Sequence, residues 1–216
     1  MTPHTVSSAG YEPTSMRAVE LRVLHAAKAC TERWGLDRLT IDDIAHASGV
    51  SRATIYRLYP GGKDVLFEAL RVHELEEFFG ELEREVVDAA TLDDLIVRTV
   101  VTATQLLRAD QHIALMLAAE PGEALSQFTV DGVPRIIRFA DELLLPRVAA
   151  YLPRADALTL IDVLSRLTIS YFLAPSDVVD LGDPESARRF LGPLVAVFGH
   201  GRTNQASLEP SQGALP

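Results

Sequence analysis

A chain of 216 residues, 48% hydrophobic and 23% charged, is long enough for one large or two small packed domains and has an ordinary globular composition. No apolar run reaches membrane-spanning length and no charged-then-apolar leader opens the chain, so a cytoplasmic protein without a membrane partner is expected. The formal net charge of −10 speaks against a polyanion-coating protein, and the single cysteine excludes an internal disulfide.

Residues 1–15 are rich in Thr, Ser, Pro and Gly and read as a disordered tail. A first helix is expected from Met16 to Trp34, with Val23, Ala26, Ala27 and Cys30 on one face and Gly35 as its stop. Cys30 on that face reads as a buried structural thiol. Thr40 and Asp43 stand at capping-box spacing and open a short helix over 41–47, whose inner face is Ile41, Ile44, Ala45 and Ser48. Gly49 marks a sharp turn, Val50 is of buried type, and Ser51 is an N-cap for a second short helix over 51–58, stopped by Pro60-Gly61-Gly62.

Two short helices around a tight turn place the start of the second one against base edges of DNA. Arg52 can offer a bidentate fork to guanine, while Ala53 and the Thr54 methyl can touch a thymine methyl. Tyr56 and Arg57 can donate to phosphates, and Lys63 places a cation beside the next helix N-terminus. A helical hairpin that merely packs is the competing reading of the turn alone. Charge distribution bears on the choice: residues 15–63 carry eight Lys or Arg against five Asp or Glu, whereas 64–216 carry twelve against twenty-four. A basic head on an acidic body can orient on a polyanion.

The string Thr-x-x-x-Ile-Ala-x-x-x-Gly-Val-Ser-x-x-Thr-Ile-Tyr-x-x-Tyr, followed by Lys-x-x-Leu, resembles the DNA-binding domain of the TetR family of bacterial transcription regulators. The positions concerned are Thr40, Ile44, Ala45, Gly49, Val50, Ser51, Thr54, Ile55, Tyr56, Tyr59, Lys63 and Leu66. The specific likeness covers about residues 17–70. It implies base and phosphate contacts at Arg52, Ala53, Thr54, Tyr56 and Arg57, and backbone contacts at Thr40 and Lys63. With Ser51 and Tyr59 these make up the expected DNA-binding set. Lys63 lies one residue further from Tyr56 than in relatives, so Gly61-Gly62 reads as a one-residue insertion, and Leu58 stands where many relatives have His. Residues 1–15 hold no Lys or Arg, which disfavours a minor-groove arm.

Further along, helices are expected at about 63–89, 91–107, 110–119, 122–129, 131–151, 155–173 and 184–198. Thr91 with Asp94 caps the second of these, and Asp183-Pro184-Glu185 starts the last. The Glu-rich side of 63–89 reads as a solvated face. Residues 200–216, rich in Gly, Ser, Pro and Gln, read as a second disordered tail. The fold class is therefore all-α, with a helix–turn–helix domain over 16–63 and a helical domain over 64–199.

The resemblance implies that the second domain binds an effector and dimerises. The wide apolar faces of the last two helices suit a two-fold four-helix bundle, although they could also close the chain's own core. Residues of the right position and type to line a ligand cavity are Phe78, Leu82, Thr102, Leu106, His112, Met116, Phe128, Phe139 and Phe172, each of which could equally be plain core. Few polar residues point inward, which favours an apolar, lipid-like effector. The expected function is a DNA-binding regulator: a homodimeric repressor on a palindromic operator, released by that effector. The alternatives are a helical carrier and a helical enzyme. The six histidines form no H-x-x-x-H or E-x-x-H pair, and no nucleophile elbow, phosphate-cradling Gly loop or CxxC is present, so no cofactor, metal or catalytic residue is expected.

Overall fold

The computed structural model describes residues 13–35, 38–110, 113 and 132–205. Among them are eight helices and no strand: α1 (Pro13–Trp34), α2 (Ile41–Ser48), α3 (Arg52–Leu58), α4 (Lys63–Val86), α5 (Leu92–Ala109), α6 (Gly132–Val148), α7 (Arg154–Leu173) and α8 (Pro184–Gln205). The all-α class is as expected. The helices anticipated at 110–119 and 122–129, and the tails up to Glu12 and beyond Gln205, lie outside the described residues apart from Asp110 and Ile113.

The chain forms two units that divide between Glu74 and Leu75, within α4. The expected division after position 63 thus falls earlier than the structural one. The reason is that Leu66, Phe67 and Leu70, from the start of α4, are buried in the first core. That core is built on Val23 and Ala27 of α1, Ile44 of α2, Val50 in the turn and Ile55 of α3, all less than a tenth exposed. Thr31 is buried too, and its hydroxyl is satisfied by donating to the Ala27 carbonyl at 2.9 Å. Burial raises the Cys30 thiol above its ordinary pKa, which keeps it protonated and inert, as expected of a structural thiol.

The second core takes Leu82 and Val86 from the latter part of α4, Leu95, Ile96 and Val100 from α5, and Ala140 and Leu144 from α6. It is completed by Leu160, Ile161 and Leu164 of α7 and by Ala187 and Leu191 of α8. Helix α6 packs on α7, and α5 packs on both α7 and α8. Of the capping box expected at Thr91 and Asp94, the Thr91 half forms, accepting from Asp94 N at 3.1 Å, while the Asp94 carboxylate accepts from Arg98 Nε at 3.0 Å. The loop ahead of α8 is tied to α5: Arg108 meets Asp180 at 2.8 Å, and Gln105 donates to the Gly182 carbonyl at 2.8 Å. Both terminal helices reach into stretches expected to be tails: α1 begins at Pro13 rather than Met16, and the last helix, α8, runs past Gly199 and Gly201 to Gln205. A glycine costs a helix only about 1 kcal/mol and does not by itself stop one that is already propagating.

Candidate nucleic-acid interface

The turn between α2 and α3 is specified residue by residue. Thr40 N and Thr40 Oγ1 both donate to Asp43 Oδ2, at 2.9 and 2.6 Å, and Asp43 N donates to Thr40 Oγ1 at 3.2 Å. This complete capping box fixes where α2 begins. Hydrogen bonds from Thr40 hold the Asp43 carboxyl below the usual aspartate pKa. Gly49 ends α2 at φ +65°, a left-handed geometry that side chains with a Cβ resist. Val50 then turns inward and Ser51 caps α3, accepting from Thr54 N at 3.2 Å.

Capping at Ser51 sets the rotation of α3. Ile55 is fully buried, while Ser51, Arg52, Ala53, Tyr56 and Arg57 are exposed and Thr54 is half-buried. Thr54 Oγ1 lies 3.0 Å from Ser51 Oγ. Five of the expected DNA contacts therefore lie on one short helix, with the sixth, Ser51, as its N-cap. Lys63 is half-buried at the start of α4, its ammonium 5.8 Å from the Phe67 ring centre. Thr40 is exposed, but in the free chain both its donors go to Asp43.

Tyr59 is the correction. It was expected among the DNA contacts, yet it is only 2% exposed and belongs to the first core. Tyr59 follows Ile55 by four residues, so it continues the buried stripe of α3 rather than the exposed one. Its hydroxyl has no hydrogen-bond partner, and burial raises its pKa. Leu58, half-buried, also packs on this core. The inserted glycine pair is absorbed locally: Gly61 and Gly62 have φ +122° and +74°, and Gly62 N donates to the Tyr59 carbonyl at 2.9 Å. A Cβ on Gly62 would stand 3.4 Å from the Tyr56 ring, so the bare backbone there lets Tyr56 lie close.

One contact on this face went unread in the sequence. Arg52 Nε, the first residue of α3, lies 3.0 Å from Asp42 Oδ1 in the first turn of α2. No helical spacing joins positions 42 and 52, so only the folded turn brings them together.

Residues 23–70 match the family model for bacterial regulatory proteins of the tetR family. Those residues therefore form a DNA-binding domain of the tetR type. HTH-type transcriptional regulators of Mycobacterium tuberculosis and Mycobacterium bovis are each 31% identical to it over 99 residues, 46% of this chain and 50% of theirs. The chain thus spans about half the length of the curated relatives it matches. Two solved structures share the fold. The TetR family repressor AlkX from Dietzia, implicated in biodegradation of n-alkanes, has a TM-score of 0.62 at 20% identity, covering 88% of this chain and 98% of that one. The fatty acid degradation regulator FadR from Bacillus halodurans has a TM-score of 0.51 at 18% identity, covering 84% and 95%.

The chain therefore carries a helix–turn–helix domain of that type. In its second unit, the expected ligand-lining residues do not all come together. Phe78, Leu82 and Phe139 join the large core, where the Phe79 ring meets Phe78 edge-on at 5.2 Å and stacks on Phe139 at 5.7 Å. Phe172 packs instead in a small separate cluster around Val133 and Ile169. Thr102 and Leu106 are half-buried on α5, and His112, Met116 and Phe128 lie outside the described residues. No described helix is long and apolar enough to cross a membrane.

Proposed function

We propose that this chain is a homodimeric transcriptional repressor that binds a palindromic operator through α3 and is released by a small apolar effector. The observation that carries the DNA reading is the outward side of α3, where Arg52, Ala53, Thr54, Tyr56 and Arg57 stand together on a helix fixed by Ser51 and Gly49. Arg52 would read a guanine edge, Ala53 and Thr54 a thymine methyl, and Tyr56, Arg57 and Lys63 the phosphates. Ser51 and Thr40 would act mainly by fixing helix ends, since the Thr40 hydroxyl must leave Asp43 to meet a phosphate.

Two such readers about 34 Å apart bind a palindrome far more tightly than one. The pairing surface would be α7 and α8, where Val197 is 73% exposed and Val163, Leu167 and Leu194 are half-buried. The effector would sit among the aromatic and aliphatic residues of the second unit, with Phe78, Leu82, Thr102, Leu106, Phe139 and Phe172 as candidate walls. An apolar ligand suits such walls. The two fold neighbours are named for alkane and fatty-acid degradation, but that likeness is of fold alone. The effector would bias α4 and thereby the spacing of the two readers.

Sequencing genomic fragments retained by the protein, with a salt titration, tests this reading. A recovered palindrome and a steep fall of affinity with salt are expected. Unchanged operator binding and salt dependence in Arg52→Ala/Tyr56→Phe would remove the DNA role of α3 and favour a helical carrier. A monomeric mass by light scattering at micromolar concentration would remove the dimer, and release from the operator gives the readout for apolar effectors.

A further inference from the structure

Asp42 places a negative charge on the very surface that the proposed function turns toward a polyanion. Its side chain is 62% exposed and that of Arg52 60%, so their 3.0 Å ion pair adds little to folding. Asp42 is neither the N-cap of α2 nor the capping-box partner; those are Thr40 and Asp43. The first turn of a helix welcomes a carboxylate, but Asp43 already supplies one there. What Asp42 alone does is hold the guanidinium of the first residue of α3.

We infer that Asp42 is a specificity-determining positioning residue, which restrains Arg52 so that its guanidinium is offered to a base edge rather than to backbone phosphates. This rests on the reading of α3 as the DNA reader. The carboxylate approaches at Nε, which leaves the two terminal amino groups for the forked contact that guanine accepts. A restrained arginine gives up less side-chain freedom on binding its base. A free one can swing to the nearest phosphate and add affinity for every sequence alike. Asp42 also repels phosphates locally, which weakens binding to any duplex that does not satisfy Arg52.

The test is selection from a randomised operator library, with binding to a scrambled duplex measured across salt, for the full chain and for Arg52→Ala, Asp42→Asn and Asp42→Glu. Arg52→Ala should flatten preference at one base pair of each half-site by roughly 5- to 150-fold. Asp42→Asn should weaken preference at that same base pair by about two- to five-fold. It should also bind the scrambled duplex more tightly, with a salt slope steeper by about one phosphate contact per protomer. Asp42→Glu should restore much of the preference. A structural role alone would move none of these readouts, and unchanged thermal unfolding of Asp42→Asn checks the fold. Full preference retained in Asp42→Asn, or loss of preference spread evenly over the site, overturns the inference. If Arg52→Ala itself leaves every preference intact, the assignment of Arg52 to a base fails and this inference fails with it. Selective binding in that variant would show that DNA recognition survives through other residues.

Discussion

Thr40 and Asp43 hold each other at the mouth of α2, where the Asp43 carboxylate accepts from both the Thr40 amide and the Thr40 hydroxyl. Because those bonds favour the ionised carboxylate, the folded-state pKa of Asp43 lies below its unfolded value. The stabilisation is therefore complete above about pH 4 and is lost as pH falls through the lower folded value. Thr40→Ala should cost about 1 kcal/mol at neutral pH. The difference between wild type and this variant should shrink on acidification, as read by urea denaturation at a series of pH values. A difference that stays constant down to acid would mean that the carboxylate is not part of the cap.

Asp141 presents the opposite sign. Its Oδ1 is buried without a hydrogen-bond partner, and its pKa is raised first by burial and then by Asp162, with Arg154 pulling it back. A folded pKa above the unfolded one gives a stabilising contribution that is full below the unfolded value and is lost as pH rises through the folded one. Above that folded pKa Asp141 carries a charge that its surroundings disfavour. Asp141→Asn should raise Tm at neutral pH and lose that advantage in acid. A lower Tm for the variant at neutral pH would overturn this account.

The turn glycines separate conformational cost from steric cost. A Cβ at Gly49 would meet nothing within 4 Å, so Gly49→Ala should cost about 1–2 kcal/mol through its left-handed backbone alone. Gly49→Asn should cost less, since Asn tolerates that region. At Gly61 a Cβ would also come within 2.6 Å of Val65 Cγ2. Gly61→Ala should thus destabilise more than Gly49→Ala in denaturant unfolding, and Val65→Ala should recover part of the difference.

What was legible in the sequence was local. The Thr40 box, the Gly49 turn, the Ser51 cap and the exposed side of α3 follow from contacts within four residues along the chain. The Asp42–Arg52 pair was not legible, because it depends on the angle at which α2 and α3 meet. The unit boundary was hidden for a related reason: one continuous helical pattern in α4 serves the first core through Leu66 and Leu70 and the second through Leu82 and Val86. The candidate ligand residues were the least readable. An inward aromatic has the same spacing whether it fills a core, as Phe139 does, or lines a cavity.

The two tyrosines of the α3 region make the sharpest contrast between face and core. Tyr56 is 47% exposed on the proposed DNA side, whereas Tyr59 is 2% exposed, with a buried hydroxyl that bonds to nothing. An unsatisfied buried hydroxyl destabilises a fold, and deleting it leaves the ring's packing untouched. Tyr59→Phe should therefore be neutral or stabilising by up to about 1 kcal/mol. It should leave operator affinity unchanged, measured by fluorescence anisotropy on a duplex recovered from the genomic selection. Tyr56→Phe should do the reverse, keeping Tm while losing operator affinity by about five-fold, the worth of one ordinary hydrogen bond. Loss of operator affinity in Tyr59→Phe would return that residue to the binding face and reopen the rotation of α3 about its axis.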